Sequence, residues 1–179
     1  LTLRSSGLAF SQPLTLAVEQ HRPDLSMSEL PEDNLAEIQR LCAAGDALAE
    51  RKNFAAAIPT YWEAWDRLPE PKLEWEAATW VLAAIGDANF LGGDFVAGRD
   101  NLGTAMRCPG AIGNPFLHLR LGQCQFELGE RDRAADELLR AYMGAGSDIF
   151  KDQDAKYLKF LQSRAKGIEG PKKAWQFWK

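Results

Sequence analysis

Residues 82–90 read LAAIGDANF, and two further segments follow the same plan around a central glycine. These are LCAAGDAL at residues 41–48 and HLRLGQCQF at residues 118–126. The aligned glycines are Gly45, Gly86 and Gly122. Their spacings of 41 and 36 residues suit a repeat unit of two helices with small insertions. The sequence therefore predicts three repeated helical pairs.

Small residues also recur at matching places after each glycine. One set is Ala57, Gly98 and Ala134, and the other is Ala64, Ala105 and Ala141. A small side chain leaves room for a neighbouring helix in a close-packed interior. We expect the first set, with the glycines, to allow close packing within a pair, and the second set to let the next pair stack.

This arrangement resembles the tetratricopeptide repeat, whose pattern is W-x2-L-G-x2-Y followed by A-x3-F and P. The resemblance covers about residues 34–143 and implies an all-α fold, an α-solenoid of three helical hairpins. Repeat stacks need terminal caps, and the apolar segment after Ser147 is predicted to be a C-terminal capping helix. The sequence departs from the pattern in two respects. Leu41, Leu82 and His118 stand where tryptophan is usual, and Gly98 replaces alanine.

Local signals place the helix boundaries. Asn114-Pro115 is typical of an N-cap followed by proline at the first helical position. Pro31-Glu32-Asp33 provides a proline and an acidic first turn. Gly92-Gly93-Asp94 and Gly129-Glu130 indicate turns within hairpins, and Gly144-Ala145-Gly146 is expected to end the last hairpin.

We predict three parts of the chain. Residues 1–26 are expected to be a disordered extension before Met27, residues 27–166 the repeat domain with its capping helix, and residues 167–179 a basic, aromatic tail. For the segment from Trp175 to Trp178, insertion into a partner, folding back on the stack and a frayed terminus remain alternatives.

Composition narrows the functional classes. The 179 residues carry a net charge of −4, which argues against general nucleic-acid binding. They contain no apolar run long enough for a transmembrane helix, so we expect a cytoplasmic protein. Three cysteines without a CxxC motif indicate neither a disulfide framework nor a zinc site. No phosphate-binding loop follows Gly93, and His118 and Cys124 are predicted to lie on different helix faces. We therefore expect no metal, no cofactor and no enzymatic activity.

The resemblance also implies where a partner binds, because the first helix of each pair in this family lines a concave groove. Carried over position by position, the expected partner-binding residues are Asp46, Glu50, Trp80, Asp87, Phe90, Phe116, Arg120, Gln123, Phe126 and Glu127. Aromatic residues and arginine often dominate interface energies. The alternative is that Trp80, Phe90 and Phe126 pack only between neighbouring repeats. Chaperone-tail receptors of this family use a Lys/Asn clamp, but Cys42, Asp46 and Asp87 occupy those slots, which argues against that role.

Charge is distributed unevenly along the chain. Residues 29–100 hold 14 acidic and 6 basic side chains, whereas residues 101–179 hold 9 acidic and 13 basic ones. An acidic half is suited to steering a basic protein surface towards the groove. Ordinary solvated helix faces are the alternative explanation.

A narrower resemblance concerns residues 112–124, 134–143 and 149–150. These segments are similar to short bacterial tetratricopeptide proteins encoded beside polymorphic or Rhs-type secreted toxins. The resemblance implies an immunity protein that binds and neutralises a cognate toxin. The alternatives are a secretion chaperone of the three-repeat class, which holds an extended effector segment, and a generic assembly scaffold.

Overall fold

The computed structural model describes residues 30–171. The predicted extension at residues 1–26 and residues 172–179 of the predicted tail lie outside the described residues. Within residues 30–171 the secondary structure is entirely helical, which confirms the predicted fold class. The α-helices are α1 (Glu32–Glu50), α2 (Phe54–Asp66), α3 (Glu76–Leu91), α4 (Phe95–Ala105), α5 (Pro115–Glu127), α6 (Arg131–Ala145) and α7 (Ala155–Arg164). Short 3-10 helices occupy Lys72–Glu74 and Gly146–Phe150.

The helices pack as three successive hairpins. α1 packs on α2, α3 on α4 and α5 on α6, and α2 and α4 each also pack against the first helix of the following pair. Turns of three residues join the helices of each pair, at 51–53, 92–94 and 128–130. Connections this short place consecutive helices side by side and antiparallel. The three predicted helical pairs are therefore present.

Equivalent residues end the three turns but act differently. The side chains of Asn53 and Asp94 cap α2 and α4 by accepting hydrogen bonds from the backbone N–H groups of Ala56 and Ala97. Glu130 stands at the same place before α6 and makes no cap. It instead accepts a hydrogen bond from Arg99 of α4 at 2.6 Å, and so links the second repeat to the third.

The predicted role of the three aligned glycines is confirmed by their surroundings. A Cβ atom on Gly86 would lie 2.5 Å from Cγ of Leu102 in α4, and one on Gly122 would lie 2.9 Å from Cγ of Leu138 in α6. A Cβ on Gly45 would overlap the Tyr61 ring in α2. Each glycine therefore lets its helix approach the second helix of the same hairpin more closely than an alanine would.

Gly98, one of the two departures from the repeat pattern, has a structural explanation. A Cβ atom there would lie 2.9 Å from Sγ of Cys124, in the first helix of the third repeat, and 3.3 Å from the Gly86 carbonyl oxygen. Cys124 occupies the slot that holds Ala88 in the second repeat. The sulfur of Cys124 thus takes the space that alanine at position 98 would use, which makes Gly98 and Cys124 complementary.

This complementarity predicts energetic coupling between the two positions. Gly98→Ala should lower the free energy of unfolding by about 1 kcal/mol, because overpacking outweighs the gain in helix propensity. Adding Cys124→Ala should restore most of that loss, although Cys124→Ala alone should destabilise the protein by leaving a void. Urea unfolding of the four proteins checks the cycle. Purely additive effects would contradict the proposed contact.

His118, the other departure, is a buried link between elements rather than part of a dyad with Cys124. Its Nδ1 lies 2.5 Å from Oε2 of Glu137 in α6, and its Nε2 lies 2.7 Å from the carbonyl oxygen of Ile112. The imidazole therefore connects the loop before α5 to the second helix of the hairpin. A buried polar side chain in this slot is stable because both ring nitrogens have partners.

The predicted C-terminal cap is present, and it begins with a 3-10 turn that precedes its α-helix. Gly146 ends α6 with φ +70, a conformation that favours glycine. The chain then forms the 3-10 turn before α7 begins, where Asp154 caps the backbone N–H of Lys156. Phe150, Tyr157 and Leu161 are buried in one cluster with Leu119 and other residues of the third repeat. The open end of the stack is thereby covered.

Candidate functional site

The ten residues predicted to contact a partner differ widely in accessibility. Asp46, Glu50 and Phe116 are exposed. Trp80, Asp87, Phe90, Phe126 and Glu127 are half-buried. Arg120 and Gln123 are buried, with exposed fractions of 6% and 0%. Arg120 and Gln123 are therefore not accessible to a partner while other side chains of the chain cover them.

Arg120 of α5 is the centre of a cluster on the side of the stack where the first helices α1, α3 and α5 contact one another, which is the face predicted to be concave. Its Nε forms an ion pair with Oδ1 of Asp87 in α3 at 2.5 Å. The guanidinium carbon lies 4.4 Å from the ring centre of Phe90 and 5.5 Å from that of Phe116. Nη1 donates a hydrogen bond to Oε1 of Gln123 at 2.7 Å. Four of the predicted residues therefore surround Arg120.

The ionisation of Asp87 reflects this environment. Burial raises the pKa of the Asp87 carboxyl above its ordinary value, the positive charge of Arg120 opposes the rise, and the nearby negative charge of Asp46 adds to it. Burial outweighs the arginine because removing a carboxylate from water disfavours its charged form. Asp87 thus belongs to an internal ion pair and is not a free carboxylate of the groove.

The C-terminal cap covers the same cluster, at the third-repeat end of this face. Oε1 of Gln153 accepts hydrogen bonds from Nε2 of Gln123 at 2.9 Å and from Nη1 of Arg120 at 3.4 Å. The Tyr157 hydroxyl donates to Oε1 of Glu127 at 2.7 Å. These contacts bring Arg120, Gln123 and Glu127 together under the chain's own C-terminal segment.

Aromatic side chains of the cap complete this coverage. The Tyr157 ring centre lies 6.4 Å from that of Phe90 and 5.4 Å from that of Phe126, and the Phe160 ring centre lies 5.0 Å from that of Phe126. For Phe90 and Phe126 these contacts favour the alternative of packing within the chain. Sequence reasoning did not assign Gln153 or Tyr157 to this face, since the repeat pattern gives no information on how far a cap leans inwards.

The part of this face that the cap leaves open carries two exposed carboxylates on α1, and two exposed basic residues, Arg51 and Lys52, follow directly in the turn. Asp46 and Glu50 are exposed on α1, and the Tyr61 hydroxyl donates a hydrogen bond to Oδ1 of Asp46 at 2.7 Å. Burial, followed by this hydrogen bond, raises the pKa of Tyr61, so the phenol stays protonated and holds the Asp46 carboxylate in place. Trp80 is half-buried against the core cluster. The accessible polar groups of α1 therefore include a carboxylate that is fixed in position.

Within residues 30–171, no three His, Cys, Asp or Glu side chains converge as metal ligands. The three cysteines are buried, and burial raises the pKa of the Cys42 thiol to about 11 and also raises the pKa of the Cys124 thiol. A thiol with a raised pKa is a poor nucleophile at neutral pH. Across the described part of the chain, no helix has both the length and the apolar character needed to cross a membrane.

Solved structures show the class of fold. One is the C-terminal TPR-containing domain of a Plasmodium falciparum FK506-binding protein, with a TM-score of 0.59 and 13% identity, covering 76% of this chain and 91% of that chain. Another is the Yersinia enterocolitica type III secretion chaperone SycD in complex with a peptide of the translocator YopD, with a TM-score of 0.57 and 14% identity, covering 75% and 95%. No family model and no curated protein matches the sequence. The chain therefore has a tetratricopeptide-type helical-repeat fold.

Proposed function

We propose that this chain is a non-catalytic protein-binding protein that neutralises a cognate secreted bacterial toxin in the cytoplasm of the producing cell. The observation that carries the proposal is the pair of exposed carboxylates, Asp46 and Glu50, on the part of the α1 face that the cap leaves open. Exposed carboxylates favour a partner with a basic surface, because complementary charge steers association.

Neutralisation would be steric. The carboxylates on α1 would steer a basic rim of the toxin onto the concave face, and the bulk of the helical stack would then cover the active site or substrate entrance of the toxin. Toxins that bind nucleic acid present such basic surfaces. The mechanism requires no group transfer by this chain.

The second candidate function is a secretion chaperone that holds an effector segment. The specific observation in its favour is the similarity in fold to SycD, which was solved with a peptide of YopD bound. Against it, the cap shortens the continuous groove that an extended segment would follow.

Co-expression with individual toxin domains from the organism's own secreted proteins tests the proposal. An immunity protein should restore growth with one particular toxin and form a complex with the folded toxin domain in size-exclusion chromatography. A chaperone should instead bind an unfolded segment and increase its solubility or export. Failure to rescue growth from any of the toxins would contradict the immunity role.

A charge reversal at Glu50 should weaken toxin binding. We expect Glu50→Lys to raise the Kd by roughly threefold or more at low salt, and the difference to shrink at high salt because exposed charges are screened. Glu63→Lys is the matched control, since Glu63 is an exposed carboxylate on α2. Calorimetry at two salt concentrations checks the effect. Equal weakening by the control would contradict a role for the concave face. Asp87 and Phe90 are unsuitable for this test because both support Arg120.

A further inference from the structure

We infer that the segment from Phe150 to Arg164, named here the cap segment, is an internal ligand of the partner-binding face. An amphipathic helix of similar chemistry on a partner would compete with it. The existence of such a partner rests on the proposed function. The chemistry of the helix and the competition follow from contacts within the described residues.

The polar contacts of the cap segment join particular donors to particular acceptors. Glu127 receives two donors, the Tyr157 hydroxyl and the Lys156 ammonium group, each at 2.7 Å. Gln123, whose exposed fraction is 0%, donates to Gln153. A competing helix that buried Glu127 and Gln123 again without supplying partners would leave both groups unsatisfied, which is costly. A competing helix must therefore supply an acceptor for Gln123 and donors for Glu127.

The apolar contacts define the rest of the ligand. Tyr157 and Leu161 are buried against the third repeat, and Phe160 packs edge-on against Phe126. Tyr157, Phe160 and Leu161 are spaced to lie on one face of a helix. A suitable partner helix thus carries a tyrosine, an aromatic residue three positions later and an apolar residue four positions later on one face, with a basic residue next to the tyrosine at the edge of that face.

The way in which the cap segment is attached permits displacement. It follows the 3-10 turn at Gly146–Phe150 and lies outside the hydrogen-bond ladder of α6, so its departure would break only its own contacts with the body, which include the ion pair of Arg164 with Asp132. A free helix of ten residues is marginal in water, and the attached state dominates because it buries Tyr157 and Leu161. Competition of this kind lowers the apparent affinity of a partner by the fraction of open molecules.

A synthetic peptide of residues 150–168, FKDQDAKYLKFLQSRAKGI, provides the probe for this inference. The full chain with Tyr157→Ala should bind the peptide at least tenfold more tightly than the wild-type chain. Lys159→Ala is the matched control because Lys159 is exposed on the same helix, and it should resemble the wild type. A peptide carrying Tyr157→Ala should bind neither chain. Tryptophan fluorescence with calorimetry provides the measurement.

Hydrogen exchange tests the opening itself in the intact chain. Amides of α7 should exchange at least tenfold faster than those of α3 and α5 in the wild type, through an opening confined to the cap segment. Tyr157→Ala should accelerate α7 further and leave α1 to α4 unchanged. If that variant unfolds, Gln153→Ala removes one polar contact and should show the same pattern more weakly.

The inference is overturned if α7 exchanges only at the rate of global unfolding in the wild type, or if the peptide binds no folded variant. These outcomes do not depend on any toxin. A failed growth rescue combined with peptide binding would contradict the immunity role and leave the competition standing. Growth rescue without peptide binding would support the immunity role and contradict the competition by the cap segment.

Discussion

Gly122→Leu is expected to lower the free energy of unfolding by about 3 kcal/mol, near the upper end of the usual cost of overpacking. A Cβ atom at this position would lie 2.9 Å from Cγ of Leu138 and 3.0 Å from its backbone nitrogen. The backbone of α6 cannot move aside as a flexible side chain can, and leucine adds three further carbon atoms. The hairpin of α5 and α6 must therefore open. Urea or thermal unfolding followed by circular dichroism measures the loss.

Gly103→Ala is the matched control for this prediction. Gly103 lies in α4 and is exposed, and a methyl group added to its Cα would meet no other atom within 4 Å. Alanine there should raise the free energy of unfolding by roughly 0.5–1 kcal/mol through helix propensity alone. If Gly122→Leu cost no more than a surface substitution, close contact at the aligned glycines could not be what holds the hairpins together.

Arg120→Ala is expected to destabilise the protein by about 3 kcal/mol, because it leaves the Asp87 carboxylate half-buried without its partner. The substitution also removes the stacking on Phe90 and the hydrogen bond to Gln123. If the ion pair of Arg120 and Asp87 were fully buried, the expected loss of stability would be larger. The Asp87 side chain is 28% exposed, so water reaches it. Chemical denaturation at pH 7 measures the difference from the wild type.

The pH dependence of this variant has a definite sign. Asp87 already has a pKa raised above its ordinary 3.8, and loss of the arginine charge should raise it further. A raised folded-state pKa gives stability that is present below the unfolded pKa and lost as the pH rises through the folded pKa. The deficit of Arg120→Ala should therefore be smaller near pH 4 than at pH 7. Adding Asp87→Asn should remove that pH dependence and recover part of the stability. A deficit independent of pH would contradict the assigned ion pair.

Some predicted partner-binding positions are also stabilising contacts in this protein. Phe90, Arg120 and Glu127 stand in groove positions of the repeat, yet each also holds the cap or the second and third repeats together. Substitutions there would alter affinity and folding at once, and they cannot by themselves identify a binding face. Glu50 is the cleaner position for such a test, since it lies on the surface at the last residue of α1.

The helical pairs and their boundaries could be predicted from the order of residues in the chain. Three glycines with small residues at matching spacings leave few arrangements other than nested hairpins, because only helices that approach closely need side chains this small. Asn114-Pro115 and Gly146 marked the start of α5 and the end of α6 for equally local reasons. Such features depend on residues near one another in the chain or on a repeated pattern, and both can be read from the sequence alone.

The accessibility of the groove positions, in contrast, depends on contacts between distant parts of the chain. Gln123 looks like a ligand-facing slot in the repeat pattern, but Gln153, thirty residues later, covers it. Arg120 forms an ion pair with Asp87 of the preceding repeat. The absence of a side chain at Gly98 is explained only by the contact with Cys124 of the next repeat. Each of these outcomes depends on the angle at which one hairpin or the cap leans on another, and that angle results from the summed packing of many side chains.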